Sequence, residues 1–370
     1  MHGTTTATID LGALRANVEY VRELVGPSRL ILACVKANAY GHGAVACGKR
    51  ALESGADALG IARLDEALEL RDAGIRGRII LLGPGSLDKT EELVRSGIEI
   101  AIDGPERLEA AIWAGRKLDL RPVVHLAINS GMGRFGASFD EAERLVLRLA
   151  EETAVRWAGV MTHFPTADSD RQGTIEEWRR FETLLDAWDK RGLRVPCRHV
   201  ANSAAIMAIP ETHSDMVRPG IMLYGIPPGK GQQSNRLLPV LRLESTVVAL
   251  HWRQAGEHIG YGSTFLCNRR TLVATIPAGY ADGIPWSAAN RAWVLINGTK
   301  APVIGRISMD QTTIDVTDVP SVTIGTAVVL IGNHHGEAVS ADDWAGWCGT
   351  ISYEITTRLR GRCYRPNYVG

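Results

Sequence analysis

Apolar residues recur along the first two thirds of the chain in two alternating textures. Short continuous runs of strand length are interleaved with longer stretches whose apolar positions fall at helical spacing. LGALRANVEYVRELVG (11–26) has the helical spacing and stops at Gly26-Pro27. The runs LILACVK (30–36), ADALGIA (56–62), RIILLG (78–83), IEIAID (98–103), RPVVHLAIN (121–129), AVRWAGVMTH (154–163), RHVAN (198–202) and DMVRPG (215–220) predict eight strands. Most precede amphipathic stretches such as PERLEAAIWAGRKL and IEEWRRFETLLDAWDKRG. Strands without polar alternation are buried on both faces, and helical crossovers between them make a parallel sheet. Eight such units fit an α/β fold of the closed (β/α)8 type better than an open doubly wound sheet.

Beyond residue 230 the helical spacing vanishes. PPGKGQQSNRLLP (227–239) reads as a linker. VLRLESTVVALHWR, TLVATIPA, AWVLING, APVIGRISM, TTIDVT and AVVLIG then predict short strands separated by turns. The expected division is a barrel over 1–236 and a mostly-β domain over 237–370.

With 45% hydrophobic and 22% charged residues, the 370-residue chain has the composition of a packed globular protein. Lys+Arg and Asp+Glu both number 41, so the excess positive charge on which a nucleic-acid binder depends is missing. Small-molecule ligands fit better. The N-terminal sequence lacks the cationic and apolar pattern of an export signal, and no apolar run is long enough for a membrane span. Six cysteines without a C-x-x-C pair suit free thiols in a reducing cytoplasm.

In a (β/α)8 barrel the active site lies at the C-terminal ends of the strands. Lys36, Asn129, Arg134, His163, Asn202, Ser203, Arg218 and Gly220 all fall at or just beyond those ends. Lys36 is the only one of seven lysines to follow an apolar strand. An ammonium there calls for an anionic partner or a covalent fate, such as a Schiff base with a carbonyl cofactor. Ser203, Gly220 and Ile221 lie where barrels build phosphate sites from backbone N–H groups. Together these point to pyridoxal 5′-phosphate (PLP). Arg218 is the charged residue beside the Pro-Gly turn, and an arginine facing the pyridine nitrogen would keep it unprotonated and the electron sink weak. His334 and His335 do not suggest a metal, because adjacent strand residues face opposite ways and no third ligand is near.

The motifs CVKANAYGHG, MGRFG, THFPTAD, ANSAA, RPGIMLYG, GYGSTF, AGYADG, GRISMDQ and SYE occur in an order that resembles the alanine racemase family along essentially the whole chain. The resemblance implies a PLP barrel with a β-rich C-terminal domain, a homodimer with shared active sites, and interconversion of L- and D-alanine. It implies that Lys36 holds PLP and serves as one base, with Tyr261 of the other subunit as the opposite base. Tyr40, Asn202, Ser203, Gly220, Ile221 and Tyr353 would hold the cofactor and its phosphate. Arg218 would meet the ring nitrogen, and His163 would connect it to the Tyr261 side, the pair supplying positive charge. Arg134 and the Met309 backbone would bind substrate, with Tyr280, Arg306 and Asp310 at the entrance.

One position departs from the family pattern. Many members have a carbamylated lysine bracing the MGR arginine, and here that place is Ala127, with Asn129 where aspartate is common. A partly desolvated Arg134 without that brace implies a substitute, and the expectation is a chloride held by Arg134 and Asn129, whose oxygen accepts from the guanidinium. Other functions that fit less well are a broad-specificity racemase, a decarboxylase of the same fold, and a non-catalytic PLP carrier.

Overall fold

The computed structural model describes residues 5–229, 232, 234–359 and 366–370; Lys230, Gly231 and Gln233 of the expected linker lie outside them, as does Cys363. The described residues form two compact units. One comprises Leu14–Ala39 and Ala44–Leu238, the other the residues up to Ala13, Tyr40–Gly43 and those from Pro239 onward.

The first strand, β1 (Thr6–Asp10), belongs to the second unit. It pairs antiparallel with Leu241–Thr246 and parallel with Pro366–Val369. This differs from the expected boundary at 236, since TATID is too short a run to announce a strand whose partners lie more than two hundred residues away.

Eight parallel strands then close a barrel: β2 (Leu30–Cys34), β3 (Ala58–Ile61), β4 (Arg78–Leu81), β5 (Glu99–Ile102), β6 (Val123–Ala127), β7 (Arg156–Met161), β8 (Arg198–Asn202) and β9 (Met216–Arg218). Each lies within a run predicted from sequence. The crossover helices show why the apolar spacing was readable. In Phe139–Glu151 the buried residues are Ala142, Leu145, Val146 and Leu149, one helical stripe. Burying each large member stabilises the fold by about 1.5–3 kcal/mol. Ser138 caps this helix, its hydroxyl accepting from Glu141 N at 3.2 Å.

The second unit is built on a sheet of order Thr299–Pro302, Trp293–Ile296, Ala327–His334, β10 (Leu241–Thr246), β1 and Pro366–Val369. A separate three-stranded sheet holds Ala249–Arg253, Thr271–Ile276 and Thr312–Asp315. Two short helices, Ala341–Cys348 and Ser352–Thr357, stand where the sequence suggested only strands and turns. His334 and His335 also differ from expectation. A φ of 50° at His335 turns the chain, and the two rings stack at 4.4 Å instead of facing apart. Among the described residues no helix is long and apolar enough to cross a membrane.

The glycines of the AYGHG segment are fixed by packing within this unit. Gly41 has φ 88°, and a β-carbon there would stand 2.1 Å from the Thr356 carbonyl oxygen. Gly41→Ala is therefore expected to destabilise the protein by more than about 2 kcal/mol. Urea unfolding reads this directly, and an unchanged midpoint would refute the packing argument.

Candidate active site

Strand β2 ends at Cys34, and Lys36 opens the short helix Lys36–Gly41 instead of closing the strand. Ala37, Asn38, Ala39 and Tyr40 have φ between 52° and 54°, a left-handed run without glycine. Such geometry costs roughly 1–2 kcal/mol per residue, so neighbouring groups must hold it. Glu66 Oε1 accepts from Ala37 N at 2.6 Å, and its Oε2 accepts from Ala62 N at 2.8 Å. Asn38 Oδ1 accepts from Ala44 N at 2.9 Å. Sequence reasoning misses Glu66, which looks like one more surface carboxylate on an amphipathic helix. Lys36 itself is half-buried, and its positive charge bears on both Cys34 and His163.

Arg218 ends β9 inside the barrel and is 5% exposed. Its Nη1 donates to the His199 carbonyl and lies 3.3 Å from His199 Nδ1. Its Nη2 donates to the carbonyls of Thr162 and Val200 and lies 3.3 Å from His163 Nδ1. All of these partners are uncharged. Burial lowers the guanidinium to about 10, against the opposing pull of the Cys34 and Cys197 thiols, so it stays charged at neutral pH. His163 is driven down to about 3, first by burial and then by the charges of Arg218, Lys36 and Arg134. With His163 held down and Arg218 still charged, the positive charge expected of this pair lies on Arg218. Perturbed groups gathered in this way mark functional sites.

At the end of β8, Asn202 caps the short helix Ser203–Ala208 by accepting from Ala205 N at 3.1 Å. Ser203 Oγ accepts from Gly220 N at 2.8 Å and from Met222 N at 3.4 Å. The serine thereby gathers the turn containing Ile221 at the ends of β8 and β9.

The Arg134 loop departs from expectation twice. Arg134 is exposed in the single chain, its guanidinium 5.3 Å from the Phe135 ring centre. Asn129 Oδ1 accepts from Gly133 N at 2.8 Å and so is not aimed at Arg134. A four-residue turn places a backbone donor nearer than the long guanidinium side chain. Ala127 packs in a small apolar cluster with Ala101 and Met161, joined by Leu82 and Phe135.

The remaining candidates belong to the β unit. Tyr40 and Tyr353 lie with ring centres 6.0 Å apart. Tyr261 sits between Gly260 and Gly262, both left-handed, and is 73% exposed. A β-carbon on Gly262 would stand 2.9 Å from Arg306 Nη1, so this turn rests against Arg306, whose guanidinium also lies 5.4 Å from the Trp286 ring centre. Tyr280 N donates to the Ser308 carbonyl and Ala281 N to that of Met309, both at 3.0 Å. Tyr261, Tyr280, Arg306, Met309 and Asp310 are all exposed.

A half-buried lysine and a buried arginine at the C-terminal mouth of a (β/α)8 barrel, in a chain that also carries a tyrosine-bearing β unit, define a lysine-centred barrel enzyme. Residues 9–228 match the family profile "Alanine racemase, N-terminal domain", and residues 240–367 match "Alanine racemase, C-terminal domain". The chain belongs to the alanine racemase family, a family of isomerases. It is 41% identical over 368 residues to the alanine racemase of Symbiobacterium thermophilum, covering 99% of this chain and 97% of that one. Its fold superposes on the crystal structure of alanine racemase from Streptomyces lavendulae with a TM-score of 0.93 at 36% identity, covering 100% and 98% of the two chains. The alanine racemase of Bartonella henselae, whose structure has covalently bound pyridoxal phosphate, gives a TM-score of 0.90 at 29% identity, covering 99% and 100%.

Proposed function

We propose that this chain interconverts L- and D-alanine with PLP, using Lys36 and Tyr261 as bases on opposite faces of the substrate's Cα. The observation that carries the reading is the buried Arg218. Its charge is met only by carbonyl oxygens and imidazoles among the described residues. That environment suits an unprotonated ring nitrogen, an acceptor the guanidinium can donate to. Lys36 would bind PLP, and Ser203, Gly220, Ile221, Asn202, Tyr40 and Tyr353 would hold it. Bound there, PLP supplies the electron sink that acidifies the α-proton of an amino acid.

The chain's own residues do the rest. The Lys36 amine takes or gives the proton on one face. On the other face Tyr261 of the partner subunit does so, which accounts for a phenol so exposed in the single chain. Arg218, charged and fixed, leaves the sink weak enough to restrain side reactions. Arg134 and the Met309 backbone bind the substrate carboxylate, and Tyr280, Arg306 and Asp310 line the approach in a homodimer. The free cysteines among the described residues agree with a cytoplasmic enzyme, where D-alanine serves peptidoglycan synthesis or is drawn into catabolism.

Circular dichroism of L-alanine incubated with the PLP-loaded protein tests the reaction. The signal is expected to decay to zero, and a constant signal would refute the reading.

The proposal extends to an anion beside Arg134, held by the guanidinium and Asn129 Nδ2 now that Asn129 Oδ1 is engaged. Activity is then expected to fall when chloride is replaced by gluconate at constant ionic strength, and to be indifferent to removal of dissolved carbon dioxide. Chloride-independent kinetics, with no anomalous halide peak beside Arg134 in a bromide-soaked crystal, would remove the anion.

A further inference from the structure

A line of polar side chains crosses the barrel interior beneath the site, and the two bases do not use it. It starts at Arg78, the first residue of β4, whose Nε and Nη2 donate to the two oxygens of Glu99 at 2.7 and 3.0 Å. Glu99 Oε2 lies 2.8 Å from His125 Nε2, and His125 Nδ1 lies 3.0 Å from His199 Nε2. His199 Nδ1 is the atom 3.3 Å from Arg218 Nη1. Glu99, His125, His199 and Arg218 are each 5% exposed or less. The two imidazoles meet edge to face, centres 5.0 Å apart. Gly159, the register partner of His125 on β7, leaves room for this line: a β-carbon there would stand 3.0 Å from His125 Nδ1.

Both ends of the line have a fixed polarity. An ionised carboxylate only accepts, and a guanidinium only donates. Burial pushes Glu99 upward, but the hydrogen bonds from His125 and Arg78, with the charge of Arg78, outweigh it and hold the carboxyl at about 2. Burial pushes both imidazoles down, His199 well below its ordinary value, and the contacts with a donor-only guanidinium at one end and an acceptor-only carboxylate at the other require one donor and one acceptor nitrogen on each ring. A single arrangement then satisfies every contact. His125 Nε2–H donates to Glu99, His199 Nε2–H donates to His125 Nδ1, and Arg218 Nη1–H donates to His199 Nδ1. Reversing one ring sets two donors or two lone pairs face to face. Reversing both turns an N–H of His199 onto the guanidinium and a lone pair of His125 onto the carboxylate.

We propose that Glu99 and His125 are positioning residues for Arg218, fixing the tautomer of His199 so that a lone pair always faces the guanidinium. No proton travels along the line; it transmits orientation from the barrel floor to the group that faces the cofactor ring. This rests on the reading of Arg218 as the ring-nitrogen partner.

The test begins with the full-length, PLP-loaded protein labelled with 15N-histidine. Long-range 1H–15N spectra report the tautomer of each ring, and substitution of His125 and His199 in turn assigns their signals among the ten histidines. Both rings are expected to be neutral and Nε2-protonated from pH 6 to 8. Either one found Nδ1-protonated or doubly protonated overturns the proposal, whether or not any variant folds.

The second arm uses Glu99→Gln, whose amide can present N–H to His125 and permits the reversed string. Its kcat for alanine is expected to drop about 10- to 100-fold with little change in KM. The visible absorption of bound PLP should shift, and Glu99→Asp should recover part of the loss. Wild-type kcat and spectrum in Glu99→Gln overturn the proposal, as does a lower melting temperature with tautomers and spectrum unchanged. If wild-type protein neither binds PLP nor racemises alanine, the functional reading fails instead, and the tautomers of the cofactor-free protein still decide whether the line exists.

Discussion

Lys36→Ala is expected to abolish turnover of L- and D-alanine alike, a loss of about 10⁴-fold or more. The size follows from the double role proposed for this amine, since one substitution removes both the anchor for PLP and a base. The wild-type protein should be yellow, and borohydride reduction should fix the cofactor on Lys36, readable by peptide mass spectrometry. A label on any of the other six lysines would sink the assignment. The left-handed turn supports the choice: the four residues after Lys36 are held in an unfavourable conformation by Glu66 and Asn38, and strain of this kind persists where surrounding structure requires it.

Tyr261→Phe is expected to discriminate between the substrate's two faces. Solvent exchange of the α-proton from L-alanine should fall about 10²- to 10⁴-fold in single-turnover experiments, with a much smaller loss from D-alanine. Equal losses would favour a single base. Burial and the charges of Arg218, Lys36 and Arg134 drive His163 down to about 3, so the charge proposed to assist the phenol is that of Arg218 and not one carried by His163. A mixture of Lys36→Ala and Tyr261→Phe subunits tests whether the phenol acts across a dimer. Each heterodimer contains one site with both bases intact, so an equal mixture should recover about a quarter of wild-type activity. No recovery after demonstrated subunit exchange would place Tyr261 outside a shared site.

The barrel was legible because its strands are covered on both faces and so read as largely apolar runs without polar alternation. The left-handed turn was not, since KANAY contains no glycine to announce positive φ. The residues at the strand ends stand out as polar groups at a predicted mouth, which is why Lys36, His163 and Arg218 could be singled out. Glu99, His125 and His199 lie inside the runs and were absorbed into them, although a titratable group within an otherwise apolar strand carries its own signal. The surroundings of Arg134 were illegible for a different reason. Whether a loop arginine is buried depends on packing that periodicity does not encode, and the Asn129 side chain is claimed by a donor only four residues away.

The placement of β1 has a consequence for how the chain is made. In sequence, the whole barrel is inserted between β1 and the partners of β1. On the ribosome, Thr6–Asp10 emerges before its partners, which follow only after more than two hundred further residues are synthesised. Of these, β10 comes first and Pro366–Val369 only after that. A β-strand with open hydrogen-bonding edges is a template for wrong pairing. Its brevity and its alternating threonines limit the hazard, so the shortness that conceals β1 from a reader of the sequence also protects the nascent chain.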